Sequence, residues 1–265
     1  MIRNTVIKHY KKLLLDILVD FYNFRPKVGR KNKYNLHTYI NYIFRVFFFG
    51  ETWETLSCPK SIKPNTIKKK FYLWDNNGIF YLAYDIMFNK FCNKKKFKKL
   101  FIDSTCIQNL NCSSQFVSYY HKIKSKKQVK LSIIATADNV PISYILTNPT
   151  VHDSKFDPII KKLQTMPIRL ANNSKLIGDK GYIRRKKFYK VNNKKITLIT
   201  PKRKNQKTRN NKKNNELLNE RYTVEQTFSH IKRTYKRLQL IYDRNINRFE
   251  TFIIMAITCQ IIRKI

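Results

Sequence analysis

The chain has 265 residues, 42% of them hydrophobic, and carries 55 Lys and Arg against 16 Asp and Glu for a formal net charge of +39. With 18 Phe and 16 Tyr the apolar content is ample for one large domain or two small ones, so the chain should fold rather than stay disordered. A compact body this cationic repels itself and calls for a polyanionic partner, most often nucleic acid, while the apolar runs "YIFRVFFFG" and "FIIMAITCQII" are too short or too interrupted to span a bilayer.

From residue 1 to about residue 95 the pattern predicts helices. "YNLHTYINYIFRVFFFG" repeats bulky apolar residues at helical spacing and closes on Gly50, a C-cap. Pro64 and Asn65 open a further helix, Asn76-Asn77-Gly78 form a turn, and the next helix carries Tyr81, Tyr84 and Met87. Two short helices around a glycine turn, the first bearing Lys68, Lys69 and Lys70, are compatible with a helix-turn-helix that meets DNA. They are equally compatible with a helical bundle whose lysines face solvent.

After the basic run "NKKKFKK" the pattern changes to strands alternating with helices. "LFIDS" is an apolar strand ending in Asp103, "VKLSIIATA" and "PISYILT" make a hairpin, and "HDSKFDPIIKKLQ" is a helix capped by Asp153 or Ser154. "SKLIGDKGY" repeats the first motif with Asp179 between Gly178 and Gly181, and "KKITLITP" is another strand. Residues 201–215 form a polycationic loop that includes Lys202, Arg203 and Lys204, and the tract from Asn205 to Asn215 is expected to order only on DNA. "ELLNERYTVEQTFSHIKRTYKRL" reads as one amphipathic helix with Val224, Phe228, Ile231 and Tyr235 on its apolar face and Glu225 beside it. "RFETFIIMAITCQIIRKI" reads as a buried closing helix.

Asp103 and Asp179 each end an apolar strand, the rim where open α/β sheets place their ligands. Two carboxylates side by side repel unless a cation lies between them, and hard oxygen ligands point to Mg²⁺ or Mn²⁺, here two ions. Glu225, in a helix between Arg221 and Lys232, is the best third ligand. Taken singly, each acid has an ordinary account: Asp103 caps a turn with Ser104 and Thr105, Asp179 occupies a glycine-flanked turn, and Glu225 pairs with Arg221 four residues before it. The charge of +39 favours the joint account, because cutting DNA needs an acid cluster for metal within a basic field for phosphate.

In order, "IDST", "TNPTVHDS", "IGDKGY", "TPKRKN" and "RYTVEQTFSHIKR" resemble the DDE transposases of bacterial insertion sequences, the IS-five group within the IS-four superfamily. The resemblance implies a mixed α/β fold, an RNase H-like sheet flanked by helices at residues 96–265, preceded by a helical DNA-binding domain at 1–95. It also implies that Asp103, Asp179 and Glu225 are the acidic triad. The family signature around its Glu is Tyr, two residues, Arg, three residues, Glu, six residues, Lys; Arg221, Glu225 and Lys232 match, while Leu218 stands at the Tyr position. The intervals between the three acids leave no space for the large β insertion of some relatives.

Lys180 beside Asp179, the loop cations Lys202, Arg203 and Lys204, and Arg221 and Lys232 are the expected phosphate contacts, with Lys68, Lys69 and Lys70 upstream. His152 and Asp153 match the family's "vHDS" and are placed to approach the site, helix capping being the preferred role for Asp153, while His152 is a candidate either to orient its loop or to touch phosphate. The implied activity is metal-dependent cleavage at the ends of a mobile element followed by transesterification into target DNA. The implied partners are double-stranded DNA, both terminal inverted repeats and target, and a second copy of the chain or more, since two ends must be brought together. Two other readings stand beside it: a catalytically silent DNA-binding protein derived from a transposase, and an RNA-directed nuclease with the same core. Cys58, Cys92, Cys106, Cys112 and Cys259 are odd in number and lack paired spacing, as in reduced thiols of an intracellular protein without zinc; in a bacterial host that means the cytoplasm, with the nucleoid. No secretory signal is visible, because "LLLDILVDF" is broken by acids.

Overall fold

Leu100, Phe101 and Ile102 are fully buried, which places their strand, β1 (Phe97–Asn109), inside the sheet. The computed structural model describes residues 2–24, 32–111, 118–120, 123–185, 187–202 and 212–265. Four helices come first: α1 (Ile2–Asn23), α2 (Leu36–Phe49), α3 (Pro64–Asn76) and α4 (Ile79–Lys94). Asn35 caps α2 by accepting from the Thr38 amide at 2.8 Å, and α2 ends as expected on Gly50, whose φ of 73° is the left-handed conformation that glycine adopts without steric cost. Gly78, at φ 70°, turns the chain from α3 into α4.

The sheet order is β2-β3-β1-β5-β7-β6, with β4 added to β3 and β8 to β1. β2 (Ser118–Tyr120), β3 (Ile123–Thr136) and β4 (Pro141–Thr147) run as an antiparallel set against β1. β5 (Leu170–Ile177) and β7 (Lys194–Ile199) are parallel to β1, β6 (Phe188–Val191) is antiparallel to β7, and β8 (Leu240–Ile241) joins the far end of β1. The result is a mixed sheet flanked by helices behind a helical N-terminal region, and no large β insertion interrupts it among the described residues.

Two local expectations are corrected. The helix from "HDSKFDPIIKKLQ" is α5 (Asp157–Gln164), and its cap is Phe156, without a side-chain hydrogen bond, so neither Asp153 nor Ser154 caps it. Pro158 in the first turn delays the start, because its ring pre-sets a helical φ and needs no donor there. The single amphipathic helix is two helices, α6 (Lys212–Asn219) and α7 (Tyr222–Thr234), the first of which begins inside the tract 201–215 expected as a loop. At the break Glu220 receives Lys99 of β1 at 2.6 and 2.8 Å and Arg221 faces Asp103, ion pairs that offset the interrupted helical hydrogen bonds. The apolar face of α7 holds: Val224, Phe228 and Ile231 are buried, as is Tyr235 just beyond.

The closing helix α8 (Ile246–Ile262) is buried along nearly its whole length. Phe252 on α8 stacks against Phe71 of α3 at 5.0 Å and Phe47 of α2 at 6.2 Å, so the N-terminal helices and the C-terminal helix share one apolar core. α7 packs on β1 and β3, which brings its polar face to the sheet edge where the acids lie.

Candidate active site

The parallel register of β1 and β5 pairs Phe101 with Ile177. Asp103 and Asp179 each lie two residues further and so stand at the same height, Asp179 just past the end of β5 but Asp103 in the middle of β1, which does not end there as expected because its pairing with β3 continues to Gln108. β5 ends there because Gly178 donates its last sheet bond, to Ile199, and Asp179 then opens a 3₁₀ turn, Lys180–Tyr182, by accepting from the Gly181 amide at 2.6 Å. Asp103 accepts from the Ser104 amide at 2.8 Å. The ordinary role expected for Asp179, in a glycine-flanked turn, is therefore present alongside the juxtaposition, whereas Asp103 caps no turn because Ser104 and Thr105 continue β1 in register with β3.

Burial pushes the Asp103 carboxyl up to about 6. The Ser104 amide and the Arg221 guanidinium oppose that rise, while the negative charges of Asp179 and Asp153 add to it. Arg221 Nη1 stands 3.8 Å from Asp103 Oδ2, and its Nη2 is 2.7 Å from Glu225 Oε1, so one guanidinium links the first and third predicted acids. Glu225 is about half exposed and is held on Arg221. Among the described residues no three His, Cys, Asp or Glu side chains are drawn together as a ligand set.

Alternation along β1 turns Asp103 and Thr105 to one face and Ser104 and Cys106 to the other. On the α7 face, Lys232 Nζ donates to Thr105 Oγ1 at 2.7 Å and to the Cys106 carbonyl at 3.4 Å, which pins α7 to β1. Burial holds the Lys232 ammonium below its usual range, with the Cys106 thiol acting in the other direction. On the reverse face, Ser104 Oγ donates to Asp153 Oδ1 at 2.7 Å, and Lys130 Nζ pairs with the same oxygen at 2.7 Å and donates to the Val151 carbonyl at 2.7 Å. Asp153 is thus a fourth carboxylate near the site. Of the two readings of Asp153 in "VHDS", approach to the site and helix capping, the structure has the first; Lys130 carries no signal beyond being a cation inside an apolar strand. His152 is occupied locally, its Nδ1 contacting Ser154 Oγ at 2.9 Å and accepting from the Ser154 amide at 3.1 Å.

The predicted cations are dispersed. Lys180 is exposed next to Asp179, and Lys202 is described and half-buried; Arg203 and Lys204 lie outside the described residues. Lys69 is exposed, but Lys70 donates to Asn32 Oδ1 at 2.7 Å and Tyr22 Oη at 3.3 Å, and Lys68 pairs with Glu54 at 3.1 Å. Lys68 also lines a cleft of about 790 Å³ away from the acids, together with Arg244, Arg248, Tyr72 and Tyr242. Its floor is the buried pair Arg237–Asp243, with both carboxylate oxygens 3.0 Å from Nη2. Among the described residues the cysteines at 58, 92, 106 and 259 are free thiols, and no helix is long and apolar enough to cross a membrane; Cys112 lies outside the described residues.

No curated protein sequence matches the chain. A cryo-electron microscopy structure of a piggyBac transposase synaptic complex with hairpin DNA superposes with a TM-score of 0.42 and 10% identity, covering 97% of this chain and 64% of that one. The chain therefore spans just under two thirds of that protein's length. The family model for the transposase DDE domain matches residues 94–262, from the end of α4 through α8. That interval contains Asp103, Asp179 and Glu225 and makes up more than half of the sequence, so the chain belongs to the transposase DDE domain family.

Proposed function

We propose that this transposase cleaves double-stranded DNA at the ends of a mobile element and joins the released 3′ ends to target DNA, with Asp103, Asp179 and Glu225 as its acidic triad. The observation that carries the reading is the β1–β5 register, which sets Asp103 beside Asp179 while Arg221 ties Asp103 to Glu225. The residues fit divalent metal in their chemistry: all donors are carboxylate oxygens, hard ligands suited to such ions. Asp103, Asp179 and Glu225 would hold Mg²⁺ or Mn²⁺, one ion or two, and bound metal supplies polarisation of the scissile phosphate and activation of a water or 3′ hydroxyl.

The chain's own contribution is placement. Arg221 holds Glu225 at the site against Asp103, and Lys232 fixes the height of α7 on β1. Lys180, Lys202, Arg203 and Lys204 supply phosphate contacts around the acids, and Lys68, Lys69 and Lys70 serve the helical segment 1–95, which engages the terminal repeats. The basic cleft with Arg244 and Arg248 extends this track. Pairing of two ends requires at least a dimer on DNA.

The test is cleavage of DNA carrying the sequences that flank the coding region, with Mg²⁺ and then with chelator. Metal-dependent 3′ nicks that disappear in Asp103→Asn, Asp179→Asn and Glu225→Gln support the proposal. Binding without cleavage by the unaltered chain would favour a silent DNA-binding protein, and preference for RNA–DNA hybrids would favour a nuclease of another kind.

A further inference from the structure

We propose that the Lys130–Asp153 ion pair is a neutral prop behind the carboxylate site, in which Asp153 cancels the Lys130 charge and braces the Asp179 turn, making Asp153 a positioning residue for metal binding. The inference rests on the metal-site reading above. Lys130 is a cation on a core strand, with only 10% of its side chain exposed, in register with Cys106 and hence on the reverse face of β1 from Glu225. A buried ammonium needs a partner, and Asp153 Oδ1 supplies it at 2.7 Å. The same oxygen receives Ser104 Oγ at 2.7 Å, so the pair is anchored to the residue that follows Asp103.

The other oxygen of Asp153 faces the second aspartate. A Cβ built on Gly181 would lie 3.0 Å from Asp179 Oδ1 and 3.1 Å from Asp153 Oδ2, so the two carboxylates flank the bare glycine closely enough that a side chain there would push one of them aside. Asp153 therefore touches both aspartate neighbourhoods: β1 through Ser104 and the 3₁₀ turn through Gly181. Its negative charge reaches Asp103 as well, adding to the effect of Asp179. With Asp153 ionised, the pair with Lys130 is neutral and the site keeps its pull on a cation; without that charge, a buried ammonium faces the metal.

The two partners consequently have opposite effects, whereas a purely structural pair would lose function from either side. The probe is Mn²⁺ alone, titrated at pH 8 into the full chain without DNA and followed by the electron paramagnetic resonance signal of free Mn²⁺, with thermal unfolding as a check on folding. Asp153→Asn should weaken binding about 10-fold, in line with residues that support metal ligands from behind. Lys130→Met should tighten it several-fold, and the double variant should return close to the unaltered chain. Binding by Asp153→Asn equal to that of the unaltered chain overturns the inference, as does weaker or unchanged binding by Lys130→Met; the latter arm suffices if Asp153→Asn does not fold. Failure of the metal-site reading looks different: the unaltered chain takes up no Mn²⁺, or Asp103→Asn/Asp179→Asn takes up as much, and the inference falls with it.

Discussion

Asp103 and Asp179 emerge side by side from parallel strands, each two residues beyond the Phe101–Ile177 pair. Their separation along the chain makes this a property of sheet register alone, and a one-residue slip would send one of them to the opposite face. Removing either carboxylate, or that of Glu225, should lower Mg²⁺-dependent strand cleavage by roughly 10³-fold or more, because residues acting as a unit cannot substitute for one another. Affinity for DNA in a gel-shift assay should stay within about twofold, since phosphate contacts dominate it. Cleavage that survives in all three variants would refute the triad.

Gly181 lies between two carboxylates where an added methyl group would stand 3.0 and 3.1 Å from their oxygens, tight enough that one of them must give way. Gly181→Ala should displace the Asp179 turn or the Asp153 loop by a few tenths of an ångström and reduce cleavage by about 10²-fold, the cost of misplacing a reacting group by a small distance. Its φ is not in the left-handed region, so the melting temperature should change little. An active Gly181→Ala variant would mean that the turn moves freely.

The Arg237–Asp243 pair is almost completely buried and joins the segment after α7 to the approach to α8, while Arg237 Nη1 also reaches the Glu51 carbonyl at 3.3 Å. Asp243→Ala leaves a buried guanidinium without its counter-charge and should cost about 3–5 kcal/mol in urea unfolding. Replacing both partners with apolar residues of similar volume should cost much less. Equal losses in the single and double variants would show that the charges do not compensate each other.

The cleft above that pair offers Arg244, which is exposed, and Lys68, which pairs with the exposed Glu54 and lies over the Tyr72 ring at 6.0 Å. If DNA phosphates lie along it, Arg244→Ala and Lys68→Ala should each weaken binding and reduce the slope of log affinity against log salt by about 1. Unchanged slopes would place the DNA elsewhere.

Much of the scaffold was legible from local pattern. Gly50 marked the end of α2, Asn76-Asn77-Gly78 the turn between α3 and α4, and the spacing of Val224, Phe228, Ile231 and Tyr235 the buried face of α7, because each depends on residues within one or two helical turns. The hairpin of β3 and β4 was equally local, with Asn139 taking the positive φ its turn requires. The break between α6 and α7 was not legible: it depends on Lys99 and Asp103, more than a hundred residues earlier, drawing Glu220 and Arg221 to β1. For the same reason local pattern favours the wrong one of the two readings of Asp153. In sequence it precedes a helix as a cap would, whereas its partners Ser104 and Lys130 are distant along the chain.

The sequence by itself determined the charge that demands a polyanion, the apolar runs that precede Asp103 and Asp179, and the helix that carries Glu225, since composition and periodicity are properties of short stretches. Only the tertiary structure decided that Arg221 stands between Asp103 and Glu225, that Lys232 fastens α7 to β1, and that Lys130 and Asp153 back the site from the reverse face. Those relations follow from strand register and helix packing, which are set by the burial of a core shared across the chain and leave no trace in any one segment.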